Sequence, residues 1–257
     1  MIMIIENWIK KYPNKMFLCI LFVLMLINVI ATISANDLFQ QLTKPLFVPV
    51  FLIYFLLRNK QIKISILAFL LFSFIGDFAS VFTYSLMLVN ISSLAYCLSY
   101  SFLIIAVASR IEKLKLDKVI SSYLVLVFLI NAYLLYILFD VIKYYIPDSI
   151  EVTLFGIKST ALIALAFVSF VDYLNSQSKV SILFLIMVLC FVFSDVLHYI
   201  STYYLYNLSF VMLDRVLHLI GLFFLFSYIL ERNKAKSSLK VKAAIFSSKK
   251  VNKFRLK

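Results

Sequence analysis

Eight ionisable side chains fall within long apolar stretches, and these are the residues of the chain best placed to do chemistry. They are Lys44, Asp77, Lys158, Asp195, His198, Asp214, Arg215 and His218. At bilayer depth each would cost at least ~2.5–3.5 kcal/mol on insertion scales, so each needs a partner or a purpose. On a helix, Asp195 and His198 (i, i+3) share one face, and Asp214 and His218 (i, i+4) share another. A carboxylate beside an imidazole can fix its tautomer or raise its pKa, which suits acid–base work. The competing account is a structural ion-pair network joining Asp214, Arg215 and the lysines. Asp172 sits near the end of its apolar run, where it can reach water. No Walker, HExxH, GxSxG or CxxC motif is present. Cys19, Cys97 and Cys190 lie inside apolar runs without metal-ligand spacing, so neither a metal nor another cofactor is expected.

The elements that must position these groups are helices in lipid. Of the 257 residues, 64% are hydrophobic and only 14% charged. Soluble domains are roughly half apolar and about a quarter charged. Eight apolar runs, at 16–35, 40–57, 64–84, 86–108, 119–140, 150–173, 180–204 and 207–230, each approach the ~20 residues that cross ~30 Å of hydrocarbon. The pattern predicts an all-α, polytopic membrane protein with eight transmembrane helices. It comprises an N-terminal segment 1–15, a transmembrane domain 16–230 and a basic tail 231–257. The run 16–35 is too long for an ordinary signal-peptide core and reads as helix 1.

Charge sets the expected orientation. Lys10, Lys11 and Lys15, then Arg58, Lys60 and Lys63, then Arg110, Lys113, Lys115 and Lys118, then Lys179 and ten residues of the tail all fall on one side of an eight-span topology. The opposite loops hold only Lys143. Both termini are therefore expected in the cytoplasm. The net charge of +13 comes from these loops and the tail, a distribution that fits anionic membrane lipids and argues against nucleic acid. In this topology the intramembrane ionisable residues lie at similar depth in the outer half, as a shared cavity would need. Tyr84, Tyr199, Tyr203, Tyr204 and Tyr206 fall near the outer interface, where aromatic rings need no function.

An internal repeat relates the two halves. The segment 63–77, KISILAFLLFSFIGD, parallels 179–195, KVSILFLIMVLCFVFSD. An Asn-x-Ser follows each aspartate, at Asn90 and Asn207, and Lys44 and Lys158 precede the two copies. Four helices separate them, which predicts a parallel 4+4 duplication with a site between the halves. Asp77 and Asp195 are expected to face one another there, within reach of a shared proton or water.

At TKPL (43–46), FSFIGD (72–77) and FVFSD (191–195) the chain resembles the YhhN-like family of membrane lysoplasmalogenases. The resemblance covers about 16 to 230 and implies an eight-span fold. It also implies hydrolysis of the vinyl ether bond of lysoplasmalogens, a lysophospholipid substrate, and a bacterial cytoplasmic membrane as the location. By motif position it carries over Lys44, Asp77 and Asp195, with Asp77 and Asp195 as the catalytic pair. The family's helix-4 histidine is replaced by Cys97, while Tyr100 is kept. Vinyl ether hydrolysis needs a protonated carboxyl to protonate carbon and an ionised one to stabilise the cation or deprotonate water. Lys44 and Arg215 could hold the lipid phosphate, and His198, Asp214, His218 and Tyr100 complete the expected substrate site. A transporter or lipid sensor on the same duplicated helices is the alternative, which the missing histidine favours.

Overall fold

A computed structural model describes residues 13–33, 43, 45–58, 62–82, 85–111, 118–146 and 148–255. Lys44 and Tyr84 lie outside the described residues. Among the described residues the chain is helical without strands, as composition predicted. The helices are α1 (Pro13–Ile33), α2 (Phe47–Arg58), α3 (Ile64–Ala79), α4 (Leu86–Ala108), α5 (Lys118–Tyr145), α6 (Ser149–Ser176), α7 (Lys179–Tyr199) and α8 (Leu208–Arg255). A π-helical turn, Ile200–Tyr204, continues α7.

Five helical segments are long and apolar enough to cross a membrane: Leu86–Ala108, Ser121–Val141, Ser149–Ser176, Lys179–Tyr204 and Leu208–Ala235. The apolar parts of the first three helices, Phe17–Ala31, Phe47–Leu56 and Ile64–Ala79, are shorter. At 1.5 Å per residue α3 spans only about 24 Å. Its end is fixed locally, because the Ser80 hydroxyl turns back to donate to the Asp77 carbonyl at 2.7 Å. Within the run expected to begin at residue 40, α2 starts at Phe47, two residues after Pro45. Proline is tolerated in a first helical turn but cannot serve as a donor further in.

Caps account for the sharpest connection. The Ser178 hydroxyl accepts from the Ser181 backbone N–H, and the Ser181 side chain accepts from the Ser178 N–H. This reciprocal capping box starts α7. Gln177, at φ 43°, takes the left-handed position that ends α6. At the other extreme, α8 does not stop where its apolar face ends but runs on through most of the basic tail to Arg255. No glycine or proline follows Gly221, so the backbone meets no strong breaker there.

The most intimate pairs are α3 with α4 and α7 with α8, and α4 also packs closely on α6. Phe17 of α1 stacks on Phe226 of α8 at 4.4 Å between ring centroids and on Tyr54 of α2 at 5.2 Å. This aromatic cluster holds α1 and α2 against α8. Gly221 lets α8 approach α7 closely, since a Cβ there would lie 2.6 Å from the Phe191 ring. By contrast, α5 packs on α6 and leaves nearly all of its apolar surface uncovered. Asp172 is buried rather than reaching water, with the Arg110 guanidinium 3.5 Å away where the end of α4 meets α6.

Candidate active site

The site is built where α4, α6, α7 and α8 converge. Lys158, in the first half of α6, is 3% exposed. Its ammonium lies 2.7 Å from the Asp195 Oδ1 of α7 and donates to the Tyr199 hydroxyl at 3.0 Å. It also sits over the faces of Tyr96 and Tyr199, 4.6 and 4.8 Å from their centroids. A buried cation held by one carboxylate, one hydroxyl and two π faces is well compensated. Lys158 was legible as an intramembrane cation, but nothing in the sequence named Asp195 as its partner.

Asp77 is fully buried in α3. The Tyr96 hydroxyl of α4 donates to its Oδ1 at 2.5 Å, while its Oδ2 has no hydrogen-bond partner among the described residues. The Gly-Asp motif has a packing reason. A Cβ at Gly76 would sit 3.1 Å from the Tyr96 ring, so only glycine leaves the ring ordinary room over the α3 turn. The Ser92 hydroxyl also donates to the Gly76 carbonyl at 2.8 Å. No hydrogen bond joins Asp77 to Asp195, the two carboxylates expected to share a proton. Tyr96 covers the first and Lys158 takes the second, and the Lys158 ammonium in turn sits over the Tyr96 ring.

A different pair of carboxylates faces common space. Asp214 of α8 accepts from the Ser194 hydroxyl at 2.5 Å, and its Oδ2 lies 3.6 Å from the His198 Nδ1. That separation allows charge attraction without a hydrogen bond. The carboxylate–imidazole pairing expected along one helix therefore forms between helices. Asp195, Asp214, His198 and His218 line a narrow pocket with Tyr96 and Tyr100, whose room for solvent is about 20 Å³. That is enough for one water. It adjoins a larger cavity of about 570 Å³ that shares Tyr96, Lys158, His198 and Asp214 as walls. Asp77 lines neither space.

Arg215, beside Asp214, also lines the larger cavity. Its guanidinium donates to the Asn28 side-chain oxygen and, at 3.0 Å, to the Thr43 hydroxyl. Asn28 anchors itself to the Leu24 carbonyl at 3.1 Å. A planar donor fork fixed by α1 in this way is suited to an anion. The second expected phosphate ligand, Lys44, lies outside the described residues.

Several cavity residues carry no clear signal in the sequence. Tyr199 and Tyr203, whose positions fit ordinary interfacial aromatics, both line the larger cavity. The Tyr203 hydroxyl donates to Glu151 in the first turn of α6 at 2.7 Å. The only available signal was Glu151 itself, an acid at the start of an apolar run. Tyr96 carried a weaker signal, four residues before Tyr100 on the same helical face. Among the described residues no group of three or more His, Cys, Asp or Glu side chains could hold a metal.

No family model, curated protein or solved structure matches this chain.

Proposed function

We propose that this protein is a membrane hydrolase that cleaves the vinyl ether bond of lysoplasmalogen-type lysophospholipids, as the resemblance to the YhhN-like family implies. One observation carries the reading: Asp195 and Asp214, on adjacent helices, line a water-sized pocket next to a larger polar-walled cavity. Hydrolysis needs such a place, where one water meets one ionised and one proton-bearing group.

Asp195, ionised beside Lys158, stabilises the oxocarbenium-like cation and accepts a proton from the attacking water. Asp214, with Ser194 and His198 around it, delivers the proton to the vinyl carbon. Water adds to the cation, and the hemiacetal collapses to a fatty aldehyde and a free glycerol hydroxyl. The proton left on Asp195 returns to Asp214 through the pocket water, so one water is consumed and both carboxyl groups are restored. His218 borders the same water, and Tyr100 closes the pocket. Arg215, together with Lys44, binds the phosphate. Asp77 acts as a positioning residue through Tyr96.

The larger architecture belongs to the same reading: eight spans, two parallel four-helix halves, cytoplasmic termini and a bacterial cytoplasmic membrane. The repeat is supported by equivalent contacts in the two halves. Gly76 and Ser194 each precede the repeated aspartate. Each meets a side chain of the following helix, Tyr96 in one half and Asp214 in the other. A reporter fused after Lys257 should be active only if it works in the cytosol, and one inserted at Asp148 only if it works outside. The reverse pattern would overturn the topology.

The activity test is aldehyde release from 1-alkenyl lysophosphatidylcholine by purified protein, in detergent and in vesicles. Asp195→Asn and Asp214→Asn should each fold and lose at least ~100-fold in rate, the scale of a general acid or base. No turnover by folded wild-type protein would refute hydrolysis. Solute uptake by the same vesicles, abolished in Asp195→Asn, would then support the transporter reading.

A further inference from the structure

A second recess lies against the larger cavity and differs from it in every wall but two. It is a groove of about 300 Å³ between α5 and the π-helical turn. Leu134, Ile137, Leu138 and Val141 of α5 form one side, and Ile200 and Tyr204 the other. Apart from tyrosine hydroxyls, no polar side chain lines it. The two remaining walls, Tyr199 and Tyr203, also line the polar cavity. Those two rings stack at 5.9 Å with their planes 16° apart, so together they form the wall that the apolar and the polar space share.

The partition is tied at both ends to charged groups. Tyr203 donates to Glu151 at 2.7 Å, and Tyr199 accepts from Lys158 at 3.0 Å. Lys158 in turn holds Asp195 at 2.7 Å. The π-helical register supplies the geometry, since an i→i+5 turn displaces side chains from the α-helical face they would otherwise occupy, and such turns often mark functional sites. The groove also opens on the least covered of the five long apolar segments, where Leu134 is 56% exposed and Ile137 is 41% exposed. In a membrane, that surface is bathed by lipid tails.

We propose that this groove holds the alkyl chain of a single-chain amphiphile whose polar end occupies the adjoining cavity, and that Tyr199 and Tyr203 form the gate between them. The proposal rests on the reading of the polar cavity as a lysolipid site and names its chain-binding half. Continuity decides the occupant. An apolar trough that shares its walls with an anion-binding cavity and opens sideways to lipid fits a molecule that is apolar at one end and phosphorylated at the other. A soluble polar substrate would leave the groove unused. A diacyl lipid would need room for a second chain beside the first.

Photolabelling tests the proposal without requiring turnover. The probe is an alkyl-ether lysophosphatidylcholine carrying a diazirine midway along its chain, added to full-length protein in phosphatidylcholine vesicles. Label should map to 134–141 and 199–204, and excess unlabelled lysolipid should compete it away. Leu138→Trp, which fills the groove, should reduce that label at least fivefold while the protein remains monodisperse. Leu134→Trp serves as an independent second block. Tyr203→Phe, which frees the gate from Glu151, should change the rate of labelling and leave its position unchanged. Label that is not competed, or competed label found only in the separate apolar recess between α1 and α8 around Phe22 and Ile220, would overturn the proposal. Competed label in the groove without aldehyde release from the vinyl ether substrate would uphold the groove and reject hydrolysis.

Discussion

Replacing Lys158 with methionine removes the cation that, among the described residues, pairs with Asp195. The ammonium is 2.7 Å from that carboxylate, 3.0 Å from the Tyr199 hydroxyl and 4.6 Å from the Tyr96 ring centroid. The Lys158 and Asp195 side chains are only 4% and 12% exposed, so the single water that the adjoining pocket can hold offsets the lost partner only in small part. Removing one member of a buried pair costs about 3–5 kcal/mol, because the remaining charge is left uncompensated. Replacing both members by apolar groups of similar size is often neutral or stabilising. Lys158→Met should therefore destabilise by about 3–5 kcal/mol, while Lys158→Met with Asp195→Leu should return to wild-type stability or above. For a chain of this size the single variant should lose about 6–20 °C in melting midpoint, at ~2–4 °C per kcal/mol. The assay is the heat-induced loss of monodisperse protein in detergent, measured for wild type, both single variants and the double. Additive losses, or a Lys158→Met loss below about 1 kcal/mol, the scale of a solvated pair, would refute the buried-pair reasoning.

Three further perturbations test neighbouring contacts. Tyr96→Phe leaves neither oxygen of the buried Asp77 hydrogen-bonded among the described residues and should cost about 1–3 kcal/mol; in the same melting assay an unchanged midpoint would show that the short contact carries no stability. Gly221→Ala puts a methyl 2.6 Å from the Phe191 ring and should cost about 1–3 kcal/mol through overpacking. Adding Phe191→Leu should restore most of that loss, and no rescue would mean that α7 and α8 are not in close contact there. Arg215→Gln should weaken binding of a lysophosphatidylcholine at least tenfold in an equilibrium binding measurement, and Arg215→Lys should not restore it, because an ammonium cannot reproduce the planar fork. Full recovery by lysine would reduce the role of Arg215 to simple charge.

What the sequence determined by itself follows from short-range physics. Runs of apolar residues without breakers make helices. A Ser-x-x-Ser start sets where α7 begins, whereas α8 runs past residue 230, where its apolar run is expected to end, because no glycine or proline follows Gly221. The cost of burying charge singles out Lys44, Asp77, Lys158, Asp195, His198, Asp214, Arg215 and His218; Lys44 lies outside the described residues, and the other seven are buried or line the described cavities. Composition did not reveal which apolar runs are long enough to cross a membrane. Apolar residues serve a protein core and lipid equally well, and the lengths of α2 and α3 depend on where the chain turns.

Pairing is what only the tertiary structure decided. A helical wheel states which residues share a face, but not which neighbour that face meets. Asp195 and His198 share a face of α7, yet one reaches Lys158 of α6 and the other Asp214 of α8. The expected repeat points to Asp77 and Asp195 as partners because equivalent residues would lie at equivalent depth. Depth fixes only one coordinate. The other two depend on helix rotation and separation, which are set by close packing at Gly76 and Gly221. With Tyr96 lying over Gly76, Asp77 turns to that hydroxyl, and the carboxylate left beside Asp195 in the water-sized pocket is Asp214.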